Sequence, residues 1–152
     1  MTIQEGFASV RDGVWHYAAS GPAEAPLMLF LHGFPAFWRC WKPQLEAFAS
    51  THRCLAPDLT GYNLSSKPKG LDRYRVKSLL ADIAAFVELF AMKRRFVLVG
   101  HDWGGALAWA FAIRYPELLE RLIIVNAVHP GAFQRELMSN PKQGEASQYI
   151  HA

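Results

Sequence analysis

Short apolar runs alternate along the chain with longer stretches whose apolar residues recur at helical spacing. Leu27–Leu31 is continuously apolar, as in a strand buried on both faces, and Arg53–Pro57 and residues 96–99 and 122–125 have similar strand-like lengths. Between the last three lie helical patterns. The clearest places Val76, Leu79, Leu80, Ile83, Val87, Phe90 and Ala91 on one stripe. Another, from residue 104 to 115, is Ala-rich and apolar nearly all round, which predicts a helix buried against a sheet and stopped by Pro116. Trp41, Leu45 and Phe48 suggest a short helix with Pro43 in its first turn. Strands alternating with helices predict an α/β architecture with a mostly parallel sheet. The opening differs, because residues 7–10 and 14–17 flank Arg11-Asp12-Gly13, a turn signal that predicts an N-terminal antiparallel hairpin. Beyond His129-Pro130 the chain turns polar, with a short helical pattern over 133–138.

Composition agrees with a packed domain: of 152 residues, 51% are hydrophobic and 19% charged, far from the signature of disorder. The longest uninterrupted apolar run, 106–113, is well short of the roughly 18 residues that a membrane span needs. No basic stretch leads into an apolar one at the N-terminus, so the expectation is a cytoplasmic protein without a secretory signal. The net charge of +3 comes from scattered residues, with Lys93-Arg94-Arg95 at a predicted helix C-terminus, and gives no reason to expect nucleic acid as a partner. Cys40 and Cys54 form neither a disulfide framework nor a zinc motif, and no metal site is expected.

Chemistry concentrates in residues 96–105, where a strand passes through Gly100-His101-Asp102-Trp103-Gly104-Gly105 into a helix. Small residues two before and two after a central side chain fit a nucleophile elbow, whose strained turn leaves no room for Cβ atoms at those positions. The centre is Asp102. A carboxylate at a helix N-terminus is favoured by the orphan N–H groups and the dipole, and exposed there it can attack an electrophilic carbon. The alternative is that Asp102 only caps the helix. Leu31-His32-Gly33-Phe34-Pro35 follows a buried strand, where an elbow enzyme draws one oxyanion-hole N–H, the other coming from the residue after the nucleophile. Those donors would be the backbone N–H groups of Phe34 and Trp103.

Three motifs in order, His32-Gly33-Phe34-Pro35-Ala36-Phe37-Trp38, Asp58-Leu59-Thr60-Gly61-Tyr62-Asn63-Leu64-Ser65-Ser66-Lys67-Pro68 and Gly100-His101-Asp102-Trp103-Gly104-Gly105, resemble the epoxide hydrolase branch of the α/β-hydrolase superfamily. The resemblance implies an α/β-hydrolase-type fold, with residues 1–128 as the N-terminal part of the core and 129–152 as the start of a helical lid. It implies hydrolysis of a small-molecule epoxide to a diol through an Asp102 ester, with no metal or organic cofactor. Tyr149 matches a lid tyrosine that protonates the epoxide oxygen, although Gln148 stands where the family often has tryptophan. His32, Gly33, Pro35, Trp38 and His101 are expected at the motif or the substrate pocket.

The histidine base, its acid and a second lid tyrosine lie in the family beyond the region matched here. The expectation is therefore an N-terminal portion, truncated after about six strands, that forms the ester without turning over. Nothing in the sequence sets its oligomeric state. Haloalkane dehalogenases are a rival, since they use the same elbow and Trp103 could hold a halide. Fluoroacetate dehalogenases would want arginine in place of Trp103, and a serine esterase would need an elbow that Ser65 and Ser66 lack. A non-catalytic binding module built on half of the fold is the rival from another class.

Overall fold

The structure is a computed structural model that describes residues 2–148. Six strands form one sheet: β1 (Gln4–Val10), β2 (Gly13–Ser20), β3 (Leu27–Leu31), β4 (Arg53–Pro57), β5 (Phe96–His101) and β6 (Leu119–Val125). Their order is β1-β2-β4-β3-β5-β6. The pairs β4–β3, β3–β5 and β5–β6 are parallel, whereas β1–β2 and β2–β4 are antiparallel, so the sheet is mixed, with the expected hairpin at one edge. That hairpin is longer than its apolar positions indicate, because the backbone ladder continues to Gln4 opposite Ala19. Residues 42–48 form α1, 76–90 α2, 103–114 α3, 130–139 α4 and 141–146 α5.

The apolar run of β3 is explained by a core on each side of the sheet. Leu29 and Leu31 point to one face, packing with Leu55, Leu98, Ile83, Phe86, Leu107 and Phe111, while Met28 and Phe30 point to the other with Trp38, Trp41 and Leu45. On α2 the buried face is rotated from the expected stripe. Val76 is exposed, whereas Phe86, outside the stripe, is fully buried against Trp15 and Tyr17 at ring distances of 5.3 and 5.6 Å.

The same face buries Asp82, which accepts hydrogen bonds from Arg11 Nη1 at 2.9 Å and Thr60 Oγ1 at 3.1 Å. Asp82→Ala should destabilise the fold by about 2–3 kcal/mol, because it strands the Thr60 hydroxyl while the half-exposed Arg11 can still reach water. Urea denaturation checks this, and a loss under about 0.5 kcal/mol, the range of ordinary surface substitutions, would refute it.

The helix expected to be buried against the sheet is α3, and its apolar composition all round does not translate into burial all round. Gly104, Gly105, Leu107, Ala108 and Phe111 are buried, but Trp103 and Ile113 are exposed, since the sheet covers only one side of the helix. Strand β6 is an edge among the described residues, with Ile123 and Val125 exposed on it. An unpaired strand edge beside exposed apolar side chains is an association hazard. The 152-residue polypeptide should therefore self-associate at micromolar concentration, and Ile123→Lys should reduce this. Sedimentation that shows both to be monomers would exclude the effect. No helix among the described residues is long and apolar enough to cross a membrane.

Candidate active site

Because β3 and β5 are adjacent and parallel, the loops leaving their C-terminal ends come together, as ligand-binding loops do in α/β sheets. One is the turn from β5 into α3. Its central residue, Asp102, has φ 53° and ψ −121°, a left-handed backbone that costs a non-glycine residue about 1–3 kcal/mol and that clusters at functional sites. The Asp102 N–H donates to Val125 C=O at 3.3 Å and its C=O accepts the Ala106 N–H at 3.0 Å, so the turn is fixed from both sides.

The Asp102 side chain makes no capping bond to α3. Its Oδ2 instead accepts the backbone N–H of Phe34 at 2.9 Å, from the loop that follows β3. The capping alternative is thereby excluded. Two glycines make the approach possible. A Cβ on Gly104 would run into the Leu31 carbonyl and lie 2.5 Å from that of His32, and a Cβ on Gly33 would lie 2.5 Å from Asp102 Oδ2. The Trp103 N–H belongs to the first turn of α3, where backbone donors have no intrahelical acceptor.

His32 is fully buried, with Nδ1 2.9 Å from Gly33 C=O and Nε2 accepting the Leu59 N–H at 3.0 Å. Burial pushes its pKa below the ordinary histidine value, against smaller upward effects of the Gly33 bond and Asp58. The neutral ring is the form that fits. A depressed native pKa means that its contribution to stability is complete above the ordinary value and is lost as pH falls through the native one.

The remaining expected residues separate. Pro35 lines an open cleft of about 570 Å³ with Phe34, Phe37, Tyr62, Asn63 and Tyr74. Trp38, expected at the motif or the pocket, is buried in the core layer with Phe30 and Trp41, its ring edge-on to that of Phe37 at 6.4 Å and its backbone N–H donated to Asp58. His101 is half-buried with its ring edge-on to Trp41 at 6.5 Å. Trp103 is 59% exposed. Tyr149 lies outside the described residues.

The sequence assigns no catalytic or binding role to Asp58, His16 or Tyr62. Asp58 is fully buried and its carboxylate accepts three hydrogen bonds, one of them from His16, a contact 42 residues apart that no local pattern contains. Tyr62 packs edge-on to His32 at 4.8 Å, and burial, then the charge of Asp102, push its phenol up. No histidine among the described residues is hydrogen-bonded to Asp102. His16 is held by Asp58 and Glu5, His32 by the backbone, His52 by Thr51, and His129 packs edge-on to Trp109 and accepts from Gly131.

A model of the alpha/beta hydrolase fold family matches residues 26–147. Epoxide hydrolase 3 of Xenopus tropicalis is 43% identical over 149 residues, which is 97% of this chain and 40% of that protein. Among solved structures, the epoxide hydrolase of Bacillus megaterium in complex with an inhibitor superposes with a TM-score of 0.89 at 41% identity, covering 96% of this chain and 50% of that one. An epoxide hydrolase from metagenomes of hot environments gives a TM-score of 0.91, also at 41% identity, over 99% and 51% of the two chains. The chain thus spans 40% of the length of that curated relative and about half the length of the two solved structures.

Proposed function

This chain belongs to the alpha/beta hydrolase fold family, and from its likeness there to epoxide hydrolases we propose that it carries the nucleophile and the oxyanion donors for opening an epoxide. The observation that carries this reading is the elbow carboxylate, which leaves its helix uncapped and takes the N–H of the loop after β3. With Oδ2 held by Phe34, Oδ1 is the oxygen left to attack an oxirane carbon. The carbon–oxygen bond of the ring breaks, the alkoxide takes a proton from the phenol of Tyr149, and an Asp102 ester forms. Water then adds to the ester carbonyl carbon. The former Oδ2 becomes the oxyanion, within reach of the Phe34 and Trp103 N–H groups, and collapse releases the diol and regenerates the carboxylate. The base for that water is a histidine outside the described residues, and 129–152, which includes α4 and α5, begins the lid over the site.

Incubation of the 152-residue polypeptide with styrene oxide tests this reading by intact and peptide mass. The expected result is a mass increase of one epoxide on the peptide containing Asp102, with slow loss of the adduct and no sustained turnover. Absence of any adduct would favour the non-catalytic module, while multiple turnover by the monomer would mean that a histidine of this chain acts as base. A haloalkane is the second reading, favoured by the exposed Trp103 beside the nucleophile. Faster capture of 1-bromohexane than of styrene oxide would establish it.

A further inference from the structure

The loop that carries the Phe34 N–H is poorly held by its own side chains, since Phe34, Pro35 and Phe37 are all exposed. Its two ends are held from another loop. Asp58, just past β4, accepts the Trp38 N–H on Oδ1 at 2.9 Å, and the next residue, Leu59, donates its N–H to His32 Nε2 at 3.0 Å. That second bond makes Nε2 the acceptor and places the ring proton on Nδ1, which donates to Gly33 C=O at 2.9 Å. The Gly33 C=O and the Phe34 N–H are opposite sides of one planar peptide. Holding the oxygen on one side therefore aims the N–H to the other, where Asp102 Oδ2 accepts it at 2.9 Å.

Asp58 is itself fixed. Its Oδ2 accepts from His16 Nδ1 and Asn63 Nδ2, each at 2.8 Å, and its own C=O accepts from Ser65 Oγ at 2.6 Å. Such a saturated, fully buried carboxylate is more than loop packing requires.

We propose that Asp58 is a positioning residue for the oxyanion donor, holding residues 33–37 so that the Phe34 N–H points at the ester carbonyl oxygen. The inference rests on the reading of Phe34 as that donor, and it extends the site to a carboxylate that touches neither substrate nor nucleophile. Asp58 acts through the Trp38 N–H at one end of the loop, and the peptide of the residue beside it acts through His32 at the other.

The test separates formation of the Asp102 ester from its cleavage, because an oxyanion donor serves cleavage. The ester is formed with styrene oxide and cleaved with hydroxylamine, which passes through the same tetrahedral oxyanion without needing the histidine base. Asp58→Ala should change ester formation by less than about threefold but slow hydroxylamine cleavage by about 10- to 100-fold, approaching the loss of one donor. Asp58→Asn keeps an oxygen for the Trp38 N–H, and its NH2 can donate to His16 Nδ1 and Asn63 Oδ1 once His16 carries its proton on Nε2 toward Glu5 and the Asn63 amide turns over, so cleavage should stay within about threefold of the parent. A backbone ester at residue 38 removes the N–H that Asp58 holds without changing any side chain, and weakens the Phe37 C=O that accepts the Cys40 N–H at 3.1 Å. It should behave as Asp58→Ala does, and it decides the matter if that variant does not fold. Hydrogen exchange of the Phe34 amide, read against Leu98 in the core, should quicken about fivefold or more in both slow variants.

Unchanged cleavage and unchanged Phe34 exchange in these two variants would overturn the proposal, as would an Asp58→Asn variant as slow as Asp58→Ala. Quicker Phe34 exchange with unchanged cleavage would uphold the clamp while removing Phe34 as the oxyanion donor. If the parent forms no ester, the function falls, and the exchange measurement alone decides whether Asp58 positions the loop.

Discussion

Asp102→Asn is expected to abolish capture of styrene oxide, lowering adduct formation by at least about a thousandfold, while leaving the fold in place. A neutral amide oxygen is a far weaker nucleophile than a carboxylate, yet it can still accept the Phe34 N–H that the Asp102 carboxylate accepts at 2.9 Å. Asparagine also tolerates a positive φ better than most residues, so the turn at φ 53° should survive with a stability change within about 0.5 kcal/mol. Asp102→Ala guards against slow deamidation restoring the carboxylate, and it should be equally unreactive. Peptide mass analysis reads the adduct, and thermal unfolding reads the fold. Adduct on this peptide at the parent's rate in both variants would remove Asp102 as the nucleophile.

Gly104→Ala should be among the most damaging single-methyl additions in the chain, costing about 3 kcal/mol or more. The new Cβ would meet the Leu31 and His32 carbonyls, which are backbone and cannot swing aside as the end of a side chain can. These carbonyls end β3 and begin the loop that carries Phe34, so relief would have to push α3 away from the sheet or displace the loop. Both changes would move the Phe34 N–H away from Asp102, and hydroxylamine cleavage of the Asp102 ester should slow along with the loss of stability. Gly144→Ala is the control. Nothing lies within 4 Å of its Cβ and it sits in α5, so alanine there should be neutral or stabilising by up to about 1 kcal/mol. Equal denaturation midpoints for the two variants would contradict the steric argument.

The sequence alone determined the α/β architecture, the N-terminal hairpin and the position of the elbow. Strand and helix periodicities are local, and a Gly100-x-Asp102-x-Gly104 turn records its own steric demand in adjacent residues. The run Leu27–Leu31 likewise declares burial on both faces, because both sets of alternating side chains are apolar. Two kinds of feature were not legible. The exposed side of α3 and the rotated face of α2 depend on what packs against each helix, and an apolar composition is the same whether or not a neighbour is present. Whether Asp102 caps a helix or faces another loop was open for a similar reason: the choice turns on Phe34, 68 residues earlier, brought near only because β3 and β5 pair in parallel. Asp58 is the extreme case. Its partners His16, Trp38 and Asn63 come from three separate parts of the chain, and a buried carboxylate is written in the sequence with the same letter as an exposed one. Tertiary structure decided these points, because desolvation and hydrogen-bond partnership belong to groups gathered in space, whereas periodicity and turn sterics belong to neighbours along the chain.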